Sequence, residues 1–161
     1  MVAKKIVKDW MKTKVYTIQP GATVREAAGL MLEKKIGTLP VVEEDGLLIG
    51  IVTMQDIIQV FLPDFVSLLS NVDFIKDYGA LKNPSTGTLR EVGDCPVIDC
   101  MQEPISVEAT SGLMRAISMM HKYQITDLPV TEEGKLVGIA SGVDIGRGFL
   151  SAWYTDKENK S

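Results

Sequence analysis

Gly50-Ile51-Val52-Thr53-Met54-Gln55-Asp56-Ile57 returns as Gly138-Ile139-Ala140-Ser141-Gly142-Val143-Asp144-Ile145. In both places an apolar strand end runs into a hydroxyl residue, then two residues, then an aspartate. The glycines and the aspartates each stand 88 positions apart. Upstream, Gly37-Thr38-Leu39-Pro40-Val41 matches Thr126-Asp127-Leu128-Pro129-Val130 at an offset of 89, and Met11 matches Met101 at 90. Shifts of one residue are what loops of unequal length produce. A duplicated unit predicts a pseudo-twofold architecture with paired, related clefts.

Within the first copy, Val15-Tyr16-Thr17-Ile18 is β-branched and aromatic and stops at Gln19-Pro20-Gly21, which predicts a short strand and a turn. Thr23 followed three residues later by Glu26 has the form of a capping box, and Val24, Ala27, Ala28, Met31 and Leu32 continue at helical spacing to about Lys35. Two apolar runs, Leu39 to Val42 and Leu47 to Val52, flank Glu43-Glu44-Asp45-Gly46 and read as a hairpin. A helix then begins at Thr53. The second copy repeats the order with Ile105 to Val107, Ser111 to Tyr123, Leu128 to Thr131, Leu136 to Ala140 and a helix from Ser141. Gly142, Gly146 and Gly148 each cost about 1 kcal/mol relative to Ala in a helix interior, which predicts a short or frayed last helix. The fold class is α/β (α+β): two β-α-β-β-α repeats, at 7–58 and 97–150, joined by a helical linker at 59–96. In that linker Phe61, Phe65, Leu68, Val72 and Ile75 recur at steps of four and three, an amphipathic helix whose broad apolar face suits either the core or a subunit interface. Asn83 to Gly87 reads as a loop.

Composition narrows the function. The 161 residues are 45% hydrophobic and 24% charged with a net charge of −4, ordinary for a globular protein and unlike a nucleic-acid binder, which carries a basic patch. No stretch approaches the roughly 20 apolar residues of a membrane span, and the first residues do not read as a signal peptide, so a cytoplasmic location is expected. Cys95 and Cys100 read as free thiols, and the lone His121 is not spaced as a zinc ligand. Met114, Met119 and Met120 read as core, and Trp10 and Trp153 as covers for apolar surface near the termini.

The repeat resembles the CBS domain, named for cystathionine β-synthase, and the whole chain resembles a stand-alone tandem pair, or Bateman module. Thr17, Pro20, Leu39-Pro40-Val41, Gly46 and Gly50 to Asp56 follow the family pattern in order; Ala109 departs from it where the first copy has Pro20. The resemblance implies a non-catalytic sensor with no required cofactor. Adenosine-containing ligands such as AMP, ADP, ATP or S-adenosylmethionine would sit in clefts between the repeats. The expected assembly is a homodimer, and the regulated target an enzyme or a transporter. Carried over by position, one cleft uses Thr17, Ile18, Gly37, Thr38 and Pro40 with Ser141 and Asp144. The other uses Ser106, Val107, Thr126, Asp127 and Pro129 with Thr53 and Asp56.

The chemistry of these residues admits that use. A carboxylate accepts hydrogen bonds from both hydroxyls of a ribose, and a helix start favours phosphate. Arg147, one turn after Asp144, is expected to reach the first cleft, while Asp127 is expected to repel phosphate from the second. Thr-x-x-Asp and Ser-x-x-Asp at a strand-to-helix junction are also plain capping motifs, and capping alone accounts for both. An enzyme would need a nucleophile with its base or a phosphate loop, and no such pattern is present. The remaining alternative is a protein-interaction module with vestigial clefts, acting through the linker helix.

Overall fold

The computed structural model describes residues 5–61 and 85–154. Helix α1 (Val24–Lys34) opens on a full capping box, in which the Thr23 hydroxyl accepts from the Glu26 N–H and the Glu26 carboxylate accepts from the Thr23 N–H. It ends at Lys35 in the left-handed region, φ 54°. Strands β1 (Thr38–Val42) and β2 (Leu48–Thr53) form an antiparallel hairpin, and α2 (Met54–Gln59) follows from the Thr53 cap. Gly46, at φ 89°, supplies the turn geometry that other residues resist. After α3 (Thr86–Asp94) the second copy gives β3 (Val107–Glu108), α4 (Leu113–Tyr123), β4 (Asp127–Glu132), β5 (Lys135–Ser141) and α5 (Gly142–Leu150).

Several expectations change, among them that Met114, read as core, stands exposed on α4 while Met119 and Met120 pack against the second core. The predicted strand at 15–18 reduces to one parallel bridge, Ile18 to Val41, held by Ile18 N–H to Pro40 O and Val42 N–H to Ile18 O. Of the expected loop at Asn83–Gly87, Asn83 and Pro84 lie outside the described residues, Ser85 caps α3, and helix already begins at Thr86. The last helix runs nine residues rather than fraying. Gly148 in it is buried, and a Cβ there would lie 2.8 Å from both Trp10 and Leu113, so the glycine permits close packing that offsets its entropic cost. Beyond Phe61, whose N–H donates to Ile58 O, the expected amphipathic helix with Phe65, Leu68, Val72 and Ile75 lies outside the described residues.

Each copy has its own core, and each core is completed by a segment from the other. Val7, in the 3-10 turn Val7–Asp9, is fully buried with Val107, Leu128, Val130, Ala140 and Ile145 of the second copy. Val97, in the turn Val97–Asp99, is fully buried with Ile18, Ala27, Met31, Leu39 and Val52 of the first. The chain then pairs Lys12 antiparallel with Ile139 of β5, and Gln102 with Ile51 of β2. The hairpin tips also meet, through Leu48 N–H to Gly134 O and Leu136 N–H to Gly46 O. These matched contacts are the pseudo-twofold relation of the repeats.

Candidate functional site

Two strand-to-helix junctions position the repeated aspartates. At Thr53 the Asp56 Oδ2 accepts from the Thr53 N–H at 2.8 Å and from its hydroxyl at 2.7 Å, and the Asp56 N–H returns a bond to that hydroxyl at 3.1 Å. At Ser141 the same three bonds to Asp144 measure 2.9, 2.9 and 3.2 Å. Both junctions are therefore capping boxes. The remaining partners differ: Lys12 Nζ stands 3.6 Å from Asp144 Oδ2, whereas Gln102 donates its amide to Asp56 Oδ1. Burial alone pushes the Asp144 carboxyl up. The Ser141 N–H and hydroxyl and the Lys12 ammonium outweigh it and hold the carboxyl below the usual aspartate range.

Lys12 joins Asp144 to a cleft of about 330 Å³ between the copies. Gly37 and Thr38 form one wall, Asp127 and Ile139 the other, and Lys12, Lys14, Tyr16 and Lys35 surround them. Across it the Thr38 hydroxyl donates to Asp127 Oδ2 at 3.3 Å, and the Thr126 hydroxyl to the same oxygen at 3.1 Å. The start of each second helix is tied to these walls, with Met54 N–H to Gly37 O at 2.8 Å and Gly142 N–H to Thr126 O at 3.0 Å.

Of the residues named from sequence, Gly37 and Thr38 line this cleft and Asp144 adjoins it through Lys12, while Thr126, Asp127 and Ser141 line a second, larger groove of about 780 Å³ against α4 and α5. Ile18 and Val107 are buried in the two cores, Pro40 and Pro129 are fully buried, and Thr17 and Ser106 are half-buried. Arg147 is exposed and lines another groove with Trp10, Leu150 and Tyr154. Asp127, assigned to the opposite cleft, stands in this one, because β1 and β4 bring Thr38 and Asp127 face to face on the pseudo-twofold. Asp127, expected to repel phosphate from the opposite cleft, thus adds its carboxylate to this one. Lys12, Lys14 and Lys35 were missed; the signal was one residue beyond the Met11–Met101 match, where Lys12 faces Gln102 in the alignment of the copies.

Residues 7–63 and 92–147 match the CBS domain family. The CBS domain-containing protein YhcV of Bacillus subtilis is 33% identical over 146 residues, covering 90% of this chain and 86% of that protein. CBSX2 in complex with AMP has the same fold at a TM-score of 0.68 and 24% identity, over 92% of this chain and 98% of that one. The CBS domain pair of protein MJ0100, in complex with 5′-methylthioadenosine and S-adenosyl-L-methionine, gives 0.65 at 22% identity over 92% and 98%.

Proposed function

The chain belongs to the CBS domain family as a tandem pair of repeats, and from that premise we propose a non-catalytic regulatory module of the cytoplasm. It takes an adenosine-containing ligand (AMP, ADP, ATP or S-adenosylmethionine) between its repeats and passes the occupancy to a target enzyme or transporter, or to its own homodimer. The observation that carries the reading is the cleft at Lys12, with walls drawn from both copies and a buried, ionised Asp144 beside it. The ligands of CBSX2 and MJ0100, two proteins of the same fold, support the ligand class. Among the described residues Asp144 Oδ1 accepts no hydrogen bond, which leaves lone pairs for a ribose diol while Oδ2 keeps the cap. A ligand touching both walls favours one relative placement of the copies, and that differential affinity is what lets a bound nucleotide act at a distance.

Among the described residues no helix is long and apolar enough to cross a membrane. The interaction-module reading is supported by apolar side chains left exposed on α4 and α5: Met114, Val143, Phe149 and Leu150. A melting screen with adenine nucleotides and S-adenosylmethionine separates the two. A ligand at 100 times its dissociation constant adds about 2.7 kcal/mol to stability, and no stabilisation by any of them would favour vestigial clefts.

A further inference from the structure

The adenosine reading leaves the charge of the ligand open, and the cleft's lysines bear on it. Lys12 corresponds to Gln102, since each pairs antiparallel with the matching strand of the opposite copy, Ile139 or Ile51. Lys35 corresponds to Gln124: both close the first helix of their copy as left-handed caps at φ 54°. Lys14 lies between Lys12 and the Ile18 bridge, where the second copy, one residue shorter, has Glu103. Two of the three cations on one side are thus matched by amides on the other, and the third falls in a segment whose counterpart carries Glu103 and no lysine.

The Lys12 charge is met by Asp144 at 3.6 Å. Lys14 lies over the Tyr16 ring at 5.6 Å, and among the described residues neither Lys14 nor Lys35 has a carboxylate partner. The carboxylate in the cleft wall, Asp127, is engaged by two hydroxyls. Holding like charges around one concave surface is unfavourable unless an anion joins them, and lysines are effective point-charge partners for phosphate. Resting on the adenosine reading, we propose that this cleft takes a nucleotide with two or more phosphates and selects it over the monophosphate and over S-adenosylmethionine. Lys14 and Lys35 supply the discrimination; Lys12 stays with Asp144 near the sugar.

The test is calorimetric titration of the full chain with adenosine, AMP, ADP, ATP, S-adenosylmethionine and inorganic tripolyphosphate at low and high salt. It is repeated on the double variant Lys14→Gln/Lys35→Gln, in which Lys35→Gln places the residue that Gln124 shows to be compatible with the same backbone. ADP or ATP is expected to bind at least about tenfold tighter than AMP, a preference of the size one charged hydrogen bond provides. That preference should shrink in high salt and disappear in the double variant, while AMP loses less than about threefold and the ligand-free melting temperature holds. Equal affinity for AMP and ATP, or tightest binding of S-adenosylmethionine, overturns the proposal and leaves the adenosine reading standing. Preference unchanged in the double variant overturns the role of Lys14 and Lys35. Binding of tripolyphosphate without any adenine compound, or binding of none, overturns the proposal and the adenosine reading together.

Discussion

Asp144 and Asp56 sit in the same local geometry, bonded to the preceding hydroxyl residue by the same three contacts, yet one faces a lysine and the other a glutamine. The capping box is written within four consecutive residues, so duplication reproduced it. The additional partner arrives from the opposite copy, on the segment that crosses over to complete the other core. Neither site is thus a property of its own repeat. The comparison teaches that the repeats share geometry while the crossing segments set the charge, and that exchanging those segments is what makes each half depend on the other.

That dependence predicts the largest effect. Val7 is fully buried in the second core although it is numbered with the first copy. Val7→Asp places a carboxylate there without a partner and should cost at least about 3 kcal/mol in urea unfolding. Its exposed neighbour Lys8, whose ion pair with Glu132 is on the surface, should lose less than about 1 kcal/mol when changed to Ala. Equal small losses would mean that the crossing segment is not part of the core.

Next in size is a difference between two matched glycines. A Cβ on Gly138 would lie 2.8 Å from the Lys12 carbonyl oxygen, while one on Gly50 would lie 3.1 Å from that of Gln102. Backbone must move at Gly138, whereas Gly50 asks mainly for a shift of the Met101 side chain. Gly138→Ala should therefore destabilise by about 1–3 kcal/mol and Gly50→Ala by less, measured by melting. The reverse order would show that the two crossings are not packed as described.

The aspartates themselves come third. Gln102 already occupies Oδ1 of Asp56, so a ribose must displace it, while Asp144 Oδ1 is open among the described residues. Asp144→Ala is expected to weaken nucleotide affinity at least about tenfold, close to 1.4 kcal/mol, and Asp56→Ala to weaken it less. Each should also lose about 1 kcal/mol of stability as a cap. Equal stability losses with unchanged affinity would make both residues caps and nothing more.

Much of this was legible in the sequence, for reasons that differ by element. Caps, hairpins and helices depend on neighbours a few residues apart, and Thr23, Thr53, Ser141 and Gly46 all stand where their spacing placed them. That Val7 packs in the second core and Val97 in the first is not legible, because an apolar residue in the sequence says that it is buried but not against what. The strand at Val15–Ile18 overestimated its pairing, since β propensity does not supply a partner edge. Asp127 and Lys12 reach the cleft only through contacts between the copies, which no local pattern encodes. At Gly148 the sequence shows only the entropic cost of a helical glycine, and the aromatic ring that requires it lies 138 residues away.

The smallest effect is in acid, and it isolates what Lys12 adds to the cap. Asp144 is held below the usual carboxylate range when folded, so between the folded and unfolded values the unfolded chain binds more protons. Its stabilising contribution is complete above about pH 4, the ordinary aspartate value, and is lost as the pH falls through the folded value. Lys12→Gln removes the cation but keeps the Ser141 bonds, giving Asp144 an amide neighbour like that of Asp56. The folded value then rises toward the ordinary one, and the contribution becomes smaller and fades at higher pH. Urea midpoints taken stepwise from about pH 6 down to about pH 3 should fall more steeply for the natural chain than for Lys12→Gln, and least for Asp144→Asn, which has no carboxyl to protonate. Coincident acid limbs in all three would mean that the lysine stands near the aspartate without favouring its charge, and the asymmetry between the copies would then be one of cation count in the cleft rather than of the aspartates.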